Sequence, residues 1–172
     1  YLNAKNMSLE LPEELKGIYN EHEYRKSQLY EKDNQKMSLI TSTFNLVVIL
    51  MFLIFDGFVF VDQMARSVTS NSILVTLIFF GILMFALDII NTPFSVYDTF
   101  VIEQKYGFNT TTIKTFITDK LKGWVLTAVL GGALLALVVW FYNTTQEMFW
   151  VYTWILVTVF SIFMTMFYTQ WI

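Results

Sequence analysis

The sequence predicts an all-α membrane protein with four transmembrane helices and short cytoplasmic amphipathic helices. Three observations carry that reading. Of 172 residues, 55% are hydrophobic, 18% aromatic and only 15% charged, whereas a soluble domain has about 45–50% apolar and about 25% charged residues. Mean hydropathy is +0.52. Second, four stretches lack Asp, Glu, Lys and Arg altogether: 37–55, 67–87, 123–146 and 148–172. Each approaches or exceeds the roughly 20 helical residues that cross a hydrocarbon core. Third, Lys and Arg are divided ten to one between alternate connections.

Residues 1–37 form a polar segment with seven acids and six bases. Its stretch 20–36 has helix-forming composition and leads into the first span, 38–61. Asp56 interrupts the apolar run there. The second span is 70–90, with Asp88 near its inner end. The connection 91–122 comes next. Asn91-Thr92-Pro93 has the form of a helix start, a polar cap before proline in the first turn. A short helix over 93–106 places Phe94, Tyr97, Phe100 and Val101 on one side, and Gly107 stops it in a left-handed conformation. Asn109 or Thr110 can cap the next helix. In it Ile113, Phe116, Ile117 and Leu121 recur opposite Lys114, Asp119 and Lys120, the pattern of an interfacial helix. The third span is 123–142 and the fourth 148–170. Gly123, Thr127 and Gly131, and likewise Ala128, Gly132 and Ala136, repeat every four residues, a spacing that lets helix backbones approach closely.

Orientation follows from the basic residues. Lys5, Lys16, Arg25, Lys26, Lys32 and Lys36 precede the first span, and Lys105, Lys114, Lys120 and Lys122 lie in the middle connection. Arg66 stands alone between spans one and two. Four spans put the ten on one side, and the excess of basic residues makes that side cytoplasmic. Trp124, Trp140, Trp150, Trp154 and Trp171 fall at the span ends, as interfacial belts do.

Several chemistries are excluded. Without cysteine there is no disulfide or thiolate metal site, and the lone His22 cannot close a histidine-based zinc site. A net charge of −3 and pI near 5.1 exclude a general nucleic-acid binder. Ionisable groups within spans are functional candidates. Antiparallel helices place Asp56 and Asp88 at opposite bilayer faces, so they cannot form a carboxylate dyad. Asn45 lies at the depth of Asp88 and can hydrogen-bond it. The acceptor patterns at Asn109 and Asn143 are read as chance.

The string from Pro93 to Gly123 strongly resembles the membrane region of the type I CAAX prenyl proteases. The match runs through Pro93, Ser95, Tyr97, Thr99, Phe100, Val101, Ile102, Glu103, Lys105, Gly107, Phe108, Asn109, Thr112, Phe116, Asp119 and Lys122. Tyr1-Leu2, Leu11-Pro12-Glu13-Glu14-Leu15 and Tyr24-x-Lys26-Ser27-Gln28-x-Tyr30 are similar to family features as well. The resemblance implies a longer parent, an integral-membrane zinc endopeptidase acting on peptide or prenylated-peptide substrates. In it, this chain supplies helices two to five of seven. The first helix precedes Tyr1, and the HExxH zinc site lies after Ile172. An opening at Tyr1 rather than Met, and an apolar end at Ile172, agree with that expectation. His22-Glu23 is not a truncated HExxH, since Lys26 stands at its fifth position. No catalytic, cofactor-binding or metal-ligating residue is therefore carried over to this segment, which alone is expected to be inactive. The resemblance further implies a multi-pass protein of a bacterial inner membrane or the endoplasmic reticulum, with zinc and a C-terminal protease domain as partners from the same parent. Within the loop, Glu103 and Lys105 are expected to contact that domain, while Phe108 and Asn109 fix the turn. The competing class is a non-enzymatic helix bundle, a transporter part or an assembly scaffold, with Asp56 and Asp88 lining a pathway.

Overall fold

In the computed structural model the polar N-terminal stretch and the first apolar run make one helix, α1 (Glu21–Ile54), 34 residues long. The structure describes residues 8–12, 17–18 and 20–171, the side chains of 167–171 excepted. Tyr1-Leu2, Lys5, Glu13-Glu14-Leu15, Lys16, the Trp171 side chain and Ile172 lie outside the described residues. Asn20 starts α1: its Oδ1 accepts the His22 N–H at 2.9 Å, satisfying one of the orphan donors of the first turn. Glu21 and Glu23 in that turn complement the positive end of the helix dipole.

The span expected over 38–61 does not run as one helix. α1 ends at Ile54, where the Phe55 N–H closes on the Met51 carbonyl at 2.9 Å. Asp56 then takes φ +53, a left-handed conformation that Asp tolerates better than bulky or branched residues do. A second helix, α2 (Gly57–Val68), begins at once. Gly57 is required by space: a Cβ there would sit 2.6 Å from Cδ1 of Phe52. The Phe52 ring meets Phe58 edge-on at 5.4 Å, which holds the joint. Asp56 is thus the residue that lets the chain turn, not a polar interruption inside a continuous span.

Asn71 caps α3 (Ser72–Tyr97), its Oδ1 accepting from Ile73 and Leu74. The expected helix start at Asn91-Thr92-Pro93 is absent. Pro93 lies inside α3, which continues through a π-helical turn (Asp98–Glu103) into α4 (Gln104–Tyr106). The whole run, Ser72–Tyr106, has 35 residues. The proline removes the N–H that would bond the Ile89 carbonyl four residues back, and two side chains bond back within the turn just before it. Asn91 Nδ2 donates to the Leu87 carbonyl at 2.8 Å, and Thr92 Oγ1 to that of Asp88 at 2.7 Å. Residues that cap a helix in one setting here bond back to the preceding turn.

Gly107 ends the run as expected, at φ +70. Its N–H donates to Gln104, and the Phe108 N–H to Glu103 at 2.9 Å, the paired bonds of a Schellman turn. α5 (Ile113–Leu126), a π-helical turn (Thr127–Gly131) and α6 (Gly132–Thr145) follow without interruption. Gln146 then takes φ +43, and one 3₁₀ turn, Gln146–Met148, leads into α7 (Phe149–Trp171). Phe141 lies 5.7 Å from Tyr152 and Tyr142 5.3 Å from Phe149. Eleven residues of straight helix would separate the first pair by about 16 Å, so α6 and α7 form a hairpin.

The chain forms two units. One comprises Tyr1–Phe58 and Phe85–Ile113, the other Val59–Met84 and Lys114–Ile172. In the first, the apolar part of α1 lies beside the C-terminal half of α3, with Phe44 on Phe94 at 5.0 Å. In the second, Gly132 brings α6 close to Leu77 of α3, 3.9 Å from an added Cβ, and Asn143 Nδ2 donates to Ser72 Oγ at 2.8 Å.

Among the described residues only Leu11, Val61, Ala65, Val75, Ile102 and Tyr106 are buried hydrophobics. Most Leu, Ile, Val, Phe and Met side chains of α1, α3 and α7 face outward. A soluble protein hides such surface; a bilayer accepts it.

Candidate functional site

The residues that converge in the first unit come from the charged half of α1 and from the end of the α3–α4 run. Asp33 stands at their centre. Its Oδ2 accepts from Lys105 Nζ at 2.8 Å and from the Tyr106 hydroxyl at 2.7 Å. Lys36, one turn along α1, lies 3.8 Å from Oδ1. Tyr106 is buried and Asp33 partly so. The hydrogen bond from Lys105, then that from Tyr106, holds the Asp33 carboxyl below the usual carboxylate range, against the opposing effect of burial. The bond to Asp33 in turn raises the Lys105 ammonium above its ordinary value. Both groups lie outside the apolar stretches.

Aromatic rings close the site. Tyr30, one turn before Asp33, meets Tyr106 at 5.7 Å and Phe108 at 4.8 Å, both edge-on. Lys26 Nζ sits 4.9 Å from the Phe108 ring centre, a cation–π distance. The Schellman turn at Gly107 is what swings Phe108 back onto α1. Asn109 extends the turn, donating to Gln104 Oε1 at 2.9 Å and accepting the Thr111 N–H at 2.6 Å. That is an Asx turn two residues long rather than a cap on α5, which starts at Ile113.

The other singled-out residues divide. Ser95 Oγ donates to the Asn91 carbonyl at 3.3 Å, a local bond. Pro93 and Tyr97 are exposed and Phe100 is half-buried. Asp119 pairs with its neighbour Lys122, at 3.3 Å. The Glu103 carboxylate has no hydrogen-bond or ion-pair partner among the described residues, although its carbonyl anchors the turn. The Lys105 ammonium is engaged by Asp33 within the chain and stays 60% exposed. Asn45 does not bond Asp88. It exchanges two hydrogen bonds with Asn91, of 2.9 and 3.1 Å, because Asn91 offers both a donor and an acceptor. Asp33 and Tyr106 escaped sequence reasoning. Asp33 reads as one acid among many on a solvated helix, and Tyr106 fills an unspecified position between Lys105 and Gly107.

Among the described residues no three His, Cys, Asp or Glu side chains come together where they could hold a metal ion. The zinc that the resemblance implies finds no fitting ligand set among the described residues, and the clustered groups are acid–base partners of one another.

Over residues 1–172 the sequence matches the family described as CAAX prenyl protease N-terminal, five membrane helices. The chain belongs to the CAAX prenyl protease family. It is similar to the probable CAAX prenyl protease 1 of Schizosaccharomyces pombe, with 37% identity over 81% of this chain and 32% of that protein. The CAAX prenyl protease 1 homolog of Arabidopsis thaliana is 29% identical over 92% of this chain and 39% of its own length. The crystal structure of S. mikatae Ste24p superposes with a TM-score of 0.86 at 26% identity, covering 99% of this chain and 41% of that one. The chain thus spans about a third of the length of the curated relatives it matches. It corresponds to the N-terminal, multi-pass membrane region of that family. The family description counts five membrane helices. The described residues hold three apolar helical runs of crossing length, the third of which, Ile113–Met166, folds back at Gln146.

Proposed function

We propose that this region forms part of the wall of a helical chamber in a zinc-dependent membrane endopeptidase, and that its 91–122 loop seats the catalytic part of the same parent. The observation that carries the reading is the family match along the whole chain. In such enzymes an HExxH motif would hold the zinc ion, which would supply Lewis-acid chemistry for peptide hydrolysis. Those groups belong to the remainder of the parent, and the substrate class is a peptide or prenylated peptide. The chain's own contribution is structural. Four crossings, in α1 after residue 37, α3, the α5–α6 run and α7, leave residues 1–37 and the loop on the cytoplasmic face of an endoplasmic reticulum or bacterial inner membrane.

Glu103 is the docking residue. It ends the π-helical turn, its carboxylate has no partner among the described residues, and the Asp33–Lys105–Tyr106 cluster beside it fixes where it points. Replacing Glu103 by Gln in the complete parent should lower peptide cleavage at least about tenfold, the effect of losing roughly 1.4 kcal/mol, with thermal stability unchanged. Full proteolysis by a normally stable Glu103→Gln protein would sink the docking role.

A further inference from the structure

The feature left without a use is α2 (Gly57–Val68), which the unbroken first span had hidden. Apart from Val59, which is 51% exposed on the side of Arg66, its residues sort by face. At about 100° per residue, Phe60, Met64, Val68, Val61, Ala65 and Phe58 cover an apolar arc roughly 160° wide. One edge of that arc is covered by protein: Val61 is 3% exposed and Ala65 0%. The other edge is open: Phe60 is 63%, Met64 44% and Val68 71% exposed. Asp62 and Arg66 lie opposite, joined at 2.7 Å.

We propose that the Phe60–Met64–Val68 edge of α2 is immersed in the lipid of the extracytoplasmic membrane face, with Asp62 and Arg66 turned to water. The argument rests on the crossings assigned to α1 and α3 above, and then on chain length. Residues 37–54 alone span about 27 Å as helix, close to the hydrocarbon thickness of about 30 Å. α2 is therefore not needed to complete the crossing. At 12 residues it is about 18 Å long, too short to cross by itself. Only residues 55–56 join it to α1 and only residues 69–71 join it to α3. At no more than about 3.6 Å per residue, those joints hold both its ends near the membrane face where α1 stops and α3 starts. A helix with both ends held at one face lies along that face, and its uncovered apolar edge meets lipid there. Water on that edge would leave three large apolar side chains unburied. A covering protein segment would have to fit beneath a helix that is already tethered at both ends.

This chain contains no cysteine, so with any cysteines in the rest of the parent replaced by serine a single introduced cysteine reports on its own position. Bimane is attached at positions 60, 62, 64, 66 and 68 of the complete parent, and at Leu46 and Phe80 as reporters of the crossings. The parent is reconstituted in phosphatidylcholine vesicles with brominated acyl chains. The expected result is loss of fluorescence at 60, 64 and 68 comparable to that at 46 and 80, with little loss at 62 and 66. Aqueous iodide should quench 62 and 66 instead. Iodide quenching at 60, 64 and 68 would place the edge in water, and protection from both quenchers would place protein over it. Either result overturns the proposal. Absence of lipid quenching at 46 and 80 would instead overturn the crossings on which it rests.

Discussion

Asp33 accepts from an ammonium and a phenol at one oxygen, and that arrangement has a pH signature. Its carboxyl is held below the ordinary value of about 4, so its contribution to stability is complete above that value and is lost as pH falls through the lowered one. Lys105 is shifted upward, so its contribution is complete below its ordinary value of about 10.4 and fades only as pH rises past the raised one. The cluster is accordingly intact from about pH 5 to 10. Asp33→Asn should destabilise the parent by about 1–2 kcal/mol at pH 7, the worth of a hydrogen bond to a charged group that is partly exposed. The difference in Tm between the two proteins should shrink as pH falls below about 4 and vanish only below the lowered carboxyl value, where both present a neutral group. A difference that persists unchanged at pH 3 would mean the carboxylate is not what holds Lys105 and Tyr106. The cluster was illegible in sequence because its partners lie 72 and 73 positions apart and no local spacing announces them. Gly107 was legible because a left-handed helix end is a local demand that glycine meets at the least steric cost.

At the scale of elements, the apolar runs and the Gly107 stop were readable, while the joints were not. Asn91-Thr92-Pro93 carries the residue types of a helix start. Inside an apolar run the same types bond back to Leu87 and Asp88, so the helix continues. The break at Asp56 was missed for the opposite reason: a lone charge in an apolar run reads as a polar guest, and only the Phe52 ring against Gly57 explains why the backbone turns there. The α6–α7 hairpin turns on Gln146 at φ +43 and ψ −92, a conformation that is strained for any side chain. Gln146→Gly should stabilise the hairpin by about 1 kcal/mol, strain relief of about 1–3 kcal/mol outweighing the added freedom of the unfolded chain. The check is thermal unfolding of the detergent-solubilised protein, and a lower Tm for the glycine variant would refute it.

For the whole molecule, the outward-facing apolar side chains follow from the bilayer as solvent, and the ten-to-one division of Lys and Arg supports the proposed orientation. The first was legible from hydropathy, because lipid, unlike a soluble core, places no polar stripe on a helix. The orientation leads to a labelling prediction. A membrane-impermeant maleimide should reach a cysteine placed at Lys114 from the cytoplasmic side of sealed vesicles, and one placed at Arg66 only from the other. Labelling of both from one side would reverse the assignment.

The charged half of α1 has a mechanical consequence. From Glu21 to Lys36 it runs as helix for about 24 Å before the apolar stretch begins, and a free helix of that length would sway like a mast in a current. The bonds to Asp33 from Lys105 and Tyr106, with Tyr30 against Phe108 three residues earlier, act as a stay fastened about one fifth to two fifths of the way up from the apolar stretch. Anything that pulls on the N-terminal segment is thereby transmitted as a lever force to the Gly107 turn, and through its anchoring carbonyl to Glu103.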